Sequence, residues 1–151
     1  MKRIELNRDQ QLAPDTCRLI YVSEMTIAGK RPSVARQVSA ILEASREFNR
    51  RAGITGALLC DLKRFTQVLE GPPHTVKSLY GHIACDSRHK NVTLLEFISV
   101  PKREFETWSM AYVVAPPKHV AHYSEQGDGS KSEAELIVDL MRYLLLQRSS
   151  N

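Results

Sequence analysis

At 151 residues with 42% hydrophobic and 25% charged side chains, the chain has the composition of one globular domain. It can bury roughly 70% of the surface its unfolded form exposes, so neither disulfides nor a structural metal is required. No apolar run approaches the roughly 20 residues of a membrane span, and the net charge of +4 comes from scattered Lys and Arg, which argues against nucleic acid as a partner. Cys17, Cys60 and Cys85 are odd in number and lack metal or redox spacing, so they read as small buried hydrophobes. Met1 to Gln10 lacks the apolar stretch of a signal peptide, which points to the cytoplasm and not to a membrane.

Residues 1–15 read as a polar lead-in. Cys17 to Ser23 then alternates as a first strand, with Leu19, Tyr21 and Ser23 on one face and Ile20 and Val22 on the other. Glu24 to Arg31 is a predicted loop that ends at Pro32, a residue suited to the first helical position. Val34, Val38, Ile41, Leu42, Ser45, Phe48 and Asn49 come next at helical spacing and give an amphipathic helix.

Gly53-Ile54-Thr55-Gly56-Ala57-Leu58-Leu59-Cys60 and Arg64-Phe65-Thr66-Gln67-Val68-Leu69-Glu70-Gly71 are two apolar runs around the polar turn at Asp61 to Arg64, which predicts a strand hairpin. Gln67 interrupts the apolar run. A buried amide must satisfy donors and an acceptor or cost roughly 1–3 kcal/mol, so Gln67 either meets a ligand or polar neighbour or lies on an edge strand reaching water.

Pro72-Pro73 opens a second helix with Val76, Leu79, Tyr80, Ile83 and Ala84 inward and Asp86 near its end. Ser87 to Asn91 is a turn, Val92 to Val100 a fourth strand, and Trp108 to Val114 a fifth. The order β-α-β-β-α-β-β predicts an α+β, ferredoxin-like sheet with both helices on one face, spanning residues 16–115. Residues 116–131, with Gly127 and Gly129, read as a linker. Ser132 to Glu135 forms a capping box ahead of Leu136, Ile137, Leu140, Met141, Leu144 and Leu145, so residues 132–148 form an amphipathic helix. That helix covers the open face of the sheet or offers its stripe to another chain.

Enzyme motifs are missing. No Gly-rich phosphate loop, His-Glu-x-x-His pair, nucleophile elbow or paired-carboxylate arrangement occurs, and His82 with Cys85 lacks the second tight pair that a metal site needs. An acylphosphatase-type hydrolase shares the topology, but the loop from Glu24 to Arg31 lacks its glycines and Ile54 to Cys60 contains no Asn. What remains is Tyr21, Asn49, Gln67, Asp86, Arg88 and His89 on otherwise apolar elements. The fold brings the first and third strands together, so Tyr21 and Gln67 can touch, and Ile41 and Ile83 on the two helices can clamp a flat ring. Separately satisfied core and turn residues are the alternative.

At these residues the chain closely resembles the BLUF family of blue-light sensors that use flavin. The matches are Leu19-Ile20-Tyr21-Val22-Ser23, Asn49 with Gly53-Ile54-Thr55-Gly56-Ala57-Leu58-Leu59, Phe65 to Gly71, Asp86-Ser87-Arg88-His89, and Trp108-Ser109-Met110, in family order. Two departures are Phe48, where many members carry a polar residue, and a longer loop from Glu24 to Arg31.

The resemblance implies FAD or FMN held without a covalent bond. It implies Tyr21 and Gln67 as the photochemical pair, Asn49 bonding the ring edge, and Ile41, Leu58, Phe65, Ile83, Asp86, Arg88 and His89 completing the flavin site. Under blue light Tyr21 would give up an electron and a proton by way of Gln67, whose amide would be left rotated or tautomerised. The change would pass through Trp108 or Met110 on the fifth strand to the terminal helix. A short, stand-alone, non-enzymatic member is implied, acting on a separate effector protein and assembling as a homo-oligomer. The competing reading is a light-independent scaffold that binds a partner through the stripe from Leu136 to Leu145.

Overall fold

Residues 17–25 carry the β-branched and aromatic side chains that favour extended backbone. In the computed structural model, which describes residues 16–26, 31–60, 63–106, 111–114 and 131–149, they form β1 (Cys17–Met25). Helix α1 (Arg31–Ala52) comes next, then β2 (Thr55–Cys60), β3 (Arg64–Gly71), α2 (Pro73–Ala84), β4 (His89–Ser99), β5 (Ala111–Val114) and α3 (Glu133–Ser149). The five strands form one sheet in the order β4-β1-β3-β2-β5. β3 pairs antiparallel with both β1 and β2, β4 pairs antiparallel with β1, and β5 runs parallel to β2. This is the ferredoxin-like arrangement that the element order predicts, and it makes β3 the central strand.

Side chains alternate across a strand, and here the alternation separates two cores. Leu19 and Tyr21 of β1, Leu58 and Cys60 of β2, and Phe65 and Leu69 of β3 pack with Val38 and Leu42 of α1 and Val76 of α2. On the opposite face Ile20, Ala57, Leu59 and Val68 pack against Ala134, Val138, Leu140, Met141 and Leu145 of α3, with Phe105 among them. The terminal helix therefore covers this chain's own sheet. Each such burial of a large apolar side chain contributes about 1.5–3 kcal/mol, and the stripe that a scaffold would offer to a partner is already engaged. Ser132 caps α3, its Oγ accepting the Glu135 N–H at 3.1 Å.

Local signals set the ends of the other helices. Pro72 precedes α2 and Pro73 occupies its first turn, where a missing N–H costs nothing. At the end of α1, Gly53 adopts φ +72° and the Ile54 N–H reaches back to the Asn49 carbonyl at 2.9 Å, the pattern of a Schellman C-cap. Glycine is required at Gly56 for a different reason. A Cβ there would lie 1.9 Å from the Val68 carbonyl oxygen of β3.

Several sequence expectations are corrected. Phe48 is 47% exposed, because the 100° step per residue that turns Asn49 inward alongside Leu42 turns Phe48 out. Ala84, the last residue of α2, is exposed, and so is Cys85 in the turn beyond it; only Cys17 and Cys60 of the cysteines are buried. β1 continues to Met25 and β4 begins at His89, because the two ends pair with each other, Met25 opposite His89; this shortens the predicted first loop. β5 is described only from Ala111. Trp108 and Met110, the lead-in before residue 16 and the predicted linker at 116–131, apart from Lys131, lie outside the described residues.

Gly56→Ala is expected to destabilise the protein by about 1–3 kcal/mol or more, as overpacked interiors do, because β2 and β3 must separate to admit the methyl group. The urea midpoint checks this: a clear fall is expected, with the slope of the transition unchanged.

Candidate functional site

The register of β1 on β3 places Tyr21 directly opposite Gln67, and β2 places Leu58 on the other side of Gln67. Gln67 is thus in an interior strand and only 6% exposed, so the reading of an edge residue reaching water is set aside. Its amide oxygen Oε1 accepts a hydrogen bond from the Tyr21 hydroxyl. Burial pushes the Tyr21 phenol well above its usual pKa, with the nearby Tyr80 and Asp86 adding to the effect. The hydroxyl therefore stays protonated and acts as the donor of the pair.

Other sequence-predicted residues surround this bond. Leu58 and Phe65 belong to the same buried core, and Ile41 of α1 and Ile83 of α2 are partly buried against it. Asn49 lies seven residues after Leu42 and eleven after Val38, hence on the same face of α1, and is 1% exposed. Its Oδ1 atom is buried and accepts no hydrogen bond from the protein, although the residue makes other interactions.

The segment after α2 closes one end of this face. The Asp86 carboxylate accepts hydrogen bonds from Arg88 Nε at 2.9 Å and Nη2 at 2.6 Å. Those bonds hold Asp86 at about 2 against the opposing effect of burial, and the same pairing raises Arg88. Asp86 and Arg88 thus engage each other at the surface. His89 does reach the core: its ring lies 5.0 Å from that of Phe65 and 6.1 Å from that of Tyr21, and Nδ1 is 2.8 Å from Ser23 Oγ in a hydrogen bond. Burial lowers the His89 pKa, reinforced by Arg88 and opposed by Asp86, so the ring is neutral near pH 7.

Three participants are not singled out by sequence reasoning. Tyr80 reads there only as core, yet its ring centroid is 5.7 Å from that of Tyr21. Ser23 shares the Tyr21 face by strand parity, and that parity is the signal for its bond to His89. Glu70 falls inside a matched motif with no role of its own, although it is fully buried. On the opposite face from Gln67, its Oε1 accepts the Phe105 N–H at 2.8 Å and its Oε2 the Glu104 N–H at 2.9 Å. Burial raises the pKa of Glu70, while these backbone bonds and Arg18 act to lower it.

The donor set fits a planar heterocycle. A phenol and two carboxamides project from otherwise apolar strands and a helix face, which matches a ring system whose rim carries carbonyls and ring nitrogens. Among the described residues, no group of three or more His, Cys, Asp or Glu side chains is gathered to hold a metal ion. No helix among them is long and apolar enough to cross a membrane.

Residues 16–111 match the family described as BLUF, sensors of blue light using FAD. The chain belongs to the BLUF family. Domains of this family bind FAD non-covalently. Among curated proteins, the chain is 34% identical over 93 residues to the photoactivated adenylate cyclase subunit beta of Euglena gracilis, a match covering 61% of this chain and 10% of that one. The chain thus spans about a tenth of the length of the cyclase subunits that it matches. Among solved structures, the photo-activated state of BlsA superposes with a TM-score of 0.72 at 27% identity, covering 87% of this chain and 95% of that one. The dark state of the BLUF protein BlrB gives 0.71 at 27% identity, covering 85% and 96%.

The buried neutral His89 generates a pH prediction. Its native pKa lies below the unfolded value of about 6.5, so as pH falls through 6.5 the unfolded chain takes up this proton before the native state does. Stability is therefore lost on acidification from about pH 6.5 downward and is unaffected by this group above it. Urea midpoints at a series of pH values should fall less steeply over that window for His89→Gln than for the unmodified protein.

Proposed function

We propose that this protein is a blue-light photoreceptor in which a non-covalently bound flavin, FAD or FMN, is read by the Tyr21–Gln67 pair, and that it signals to a separate partner protein. The observation that carries this reading is the buried hydrogen bond from the Tyr21 hydroxyl to Gln67 Oε1, formed across the β1–β3 pairing. Asn49 would hold the ring edge, Ile41 and Ile83 its faces, and Leu58, Phe65 and His89 the floor and end of the slot. Asp86 and Arg88 would flank the entrance.

When bound, the flavin supplies blue-light absorption and, in its excited state, a far stronger oxidant than its ground state. The chain's own residues determine the response. Burial opposes any charged form of Tyr21, so an electron taken up from this side chain by the excited flavin would leave together with the hydroxyl proton, and both would return on recombination. That proton already lies on a hydrogen bond to Gln67, which makes Gln67 the group positioned to receive it. A Gln67 amide that then rotates or tautomerises turns a donor where an acceptor stood, and the bond with Tyr21 reverses. In a slot shielded from water such a reversal is worth more than in solution, enough to bias an element whose two states differ by a few kcal/mol.

The Tyr21–Gln67 pair suits the switching of a hydrogen bond, and in this reading the sensor signals without catalysing a reaction itself. Residues 16–115 are then the sensor and residues 132–148 the output helix, with Trp108 and Met110 as the sensor residues that would pass the change on. In this reading the protein acts in the cytoplasm, as a homo-oligomer, on a separate effector protein.

Purified protein is expected to be yellow, and blue light should shift its absorption to the red, reversibly in the dark. Tyr21→Phe and Gln67→Leu should each keep the colour and lose the shift. A normal photocycle in either variant contradicts the assigned roles.

A further inference from the structure

Among the described residues, Glu70 is the only charged side chain that is buried, and the photochemical site makes no use of it. Alternation along β3 puts Gln67 on the α1 and α2 face and Glu70 on the α3 face. A buried carboxylate that serves stability alone is a poor choice, since well-packed apolar replacements of such groups are often neutral or stabilising. Its bonds point to another role.

Both of its oxygens are committed to consecutive backbone N–H groups of the segment after β4, at Glu104 and Phe105. Arg103, the preceding residue, bonds Thr55 Oγ1 at 3.1 Å and the Glu70 carbonyl at 3.5 Å, which fixes the same segment to the ends of β2 and β3. The two residues that Glu70 holds both reach α3. The Phe105 side chain is fully buried in the core beneath that helix. The Glu104 carboxylate pairs with Arg142 of α3 at 3.5 Å. An unbroken set of directional contacts therefore runs from the end of β3, three residues beyond Gln67, to the terminal helix. Apolar side chains can slip past one another, whereas a carboxylate with one N–H on each oxygen moves its partners with it.

We propose that Glu70 is a positioning residue that couples β3 to α3, so that a change at Gln67 moves the 103–106 segment and with it the terminal helix. This coupling rests on the reading of Gln67 as the light-driven switch. It assigns the crossing from one face of the sheet to the other to a residue on β3 itself, in addition to any route through β5. A glutamine at this position keeps one acceptor and presents a donor to the second N–H, so Glu70→Gln breaks the two-point grip while preserving shape.

The test is amide hydrogen exchange of the full-length, flavin-loaded protein in darkness and under continuous blue light, with the absorption shift recorded on the same samples. In the unmodified protein, light is expected to change exchange in residues 103–106 and in α3. In Glu70→Gln the absorption shift should persist, while the light-minus-dark difference in α3 falls at least about 5-fold, the low end of coupling between linked sites. If the variant merely loosens the fold, exchange rises equally in darkness and light, the difference survives, and the proposal is overturned. An unmodified protein that shifts its absorption without any change in α3 also overturns it. Should Glu70→Gln fail to fold, Arg142→Gln at the exposed end of the same route decides: a loss of the light-minus-dark difference in α3 supports the coupling, and its retention overturns it. Failure of the unmodified protein to shift its absorption removes the reading of Gln67 itself, an outcome distinct from failure of the coupling.

Discussion

The pairing of β1 with β3 is the constraint on which the site depends. Sheet pairing has a period of two, so a slip of one residue would send Tyr21 and Gln67 to opposite faces. The observed register sets them opposite each other, Tyr21 against Gln67, with Ile20 and Val68, one step away, facing the other core. Each face is buried under its own helices, which penalises any slip by exposing two sets of apolar side chains at once. The register is thus fixed by hydrophobic burial, and the hydrogen bond between phenol and amide is a consequence of it.

The same alternation gives the sheet two functions. One face holds hydrogen-bonding side chains among aliphatic and aromatic ones, flanked by α1 and α2; the other is largely apolar, carries Thr55, Thr66, Glu70 and the Arg18–Glu96 pair, which is 3.0 Å long, and is covered by α3. Only the backbone of the central strands connects the two faces. A change of hydrogen bonding at Gln67 can reach the covering helix only if a strand shifts and something stiff carries that shift onward. The short stretch from Gln67 to Glu70 and the carboxylate's grip on the next segment meet that requirement.

Much of this is legible in the chain. Alternation in Cys17 to Ser23 and the apolar run in Arg64 to Gly71 mark the strands, prolines place the start of α2, and the capping box marks α3. Gln67 stands out because an amide in an apolar run needs a partner, and the fold order names Tyr21 as that partner. Other features are not legible, for identifiable reasons. Phe48 looks inward because helical spacing tolerates neighbouring positions, and only packing decides that Asn49 takes the inner place. Asp86 and Arg88 are two residues apart and bind each other, a local pairing that their membership in a motif conceals. Glu70 looks like an ordinary strand-end charge, because its partners are backbone N–H groups more than thirty residues away in the chain, and a backbone donor leaves no trace in side-chain identity.

The most direct measurement of the central claim is a light-minus-dark infrared difference spectrum of the flavin-loaded protein carrying isotope-labelled glutamine. If the Gln67 amide is the group that changes, a band sensitive to the label appears on illumination and vanishes in Gln67→Leu. A flavin-containing protein whose difference spectrum is indifferent to the label would contradict the switching role of Gln67.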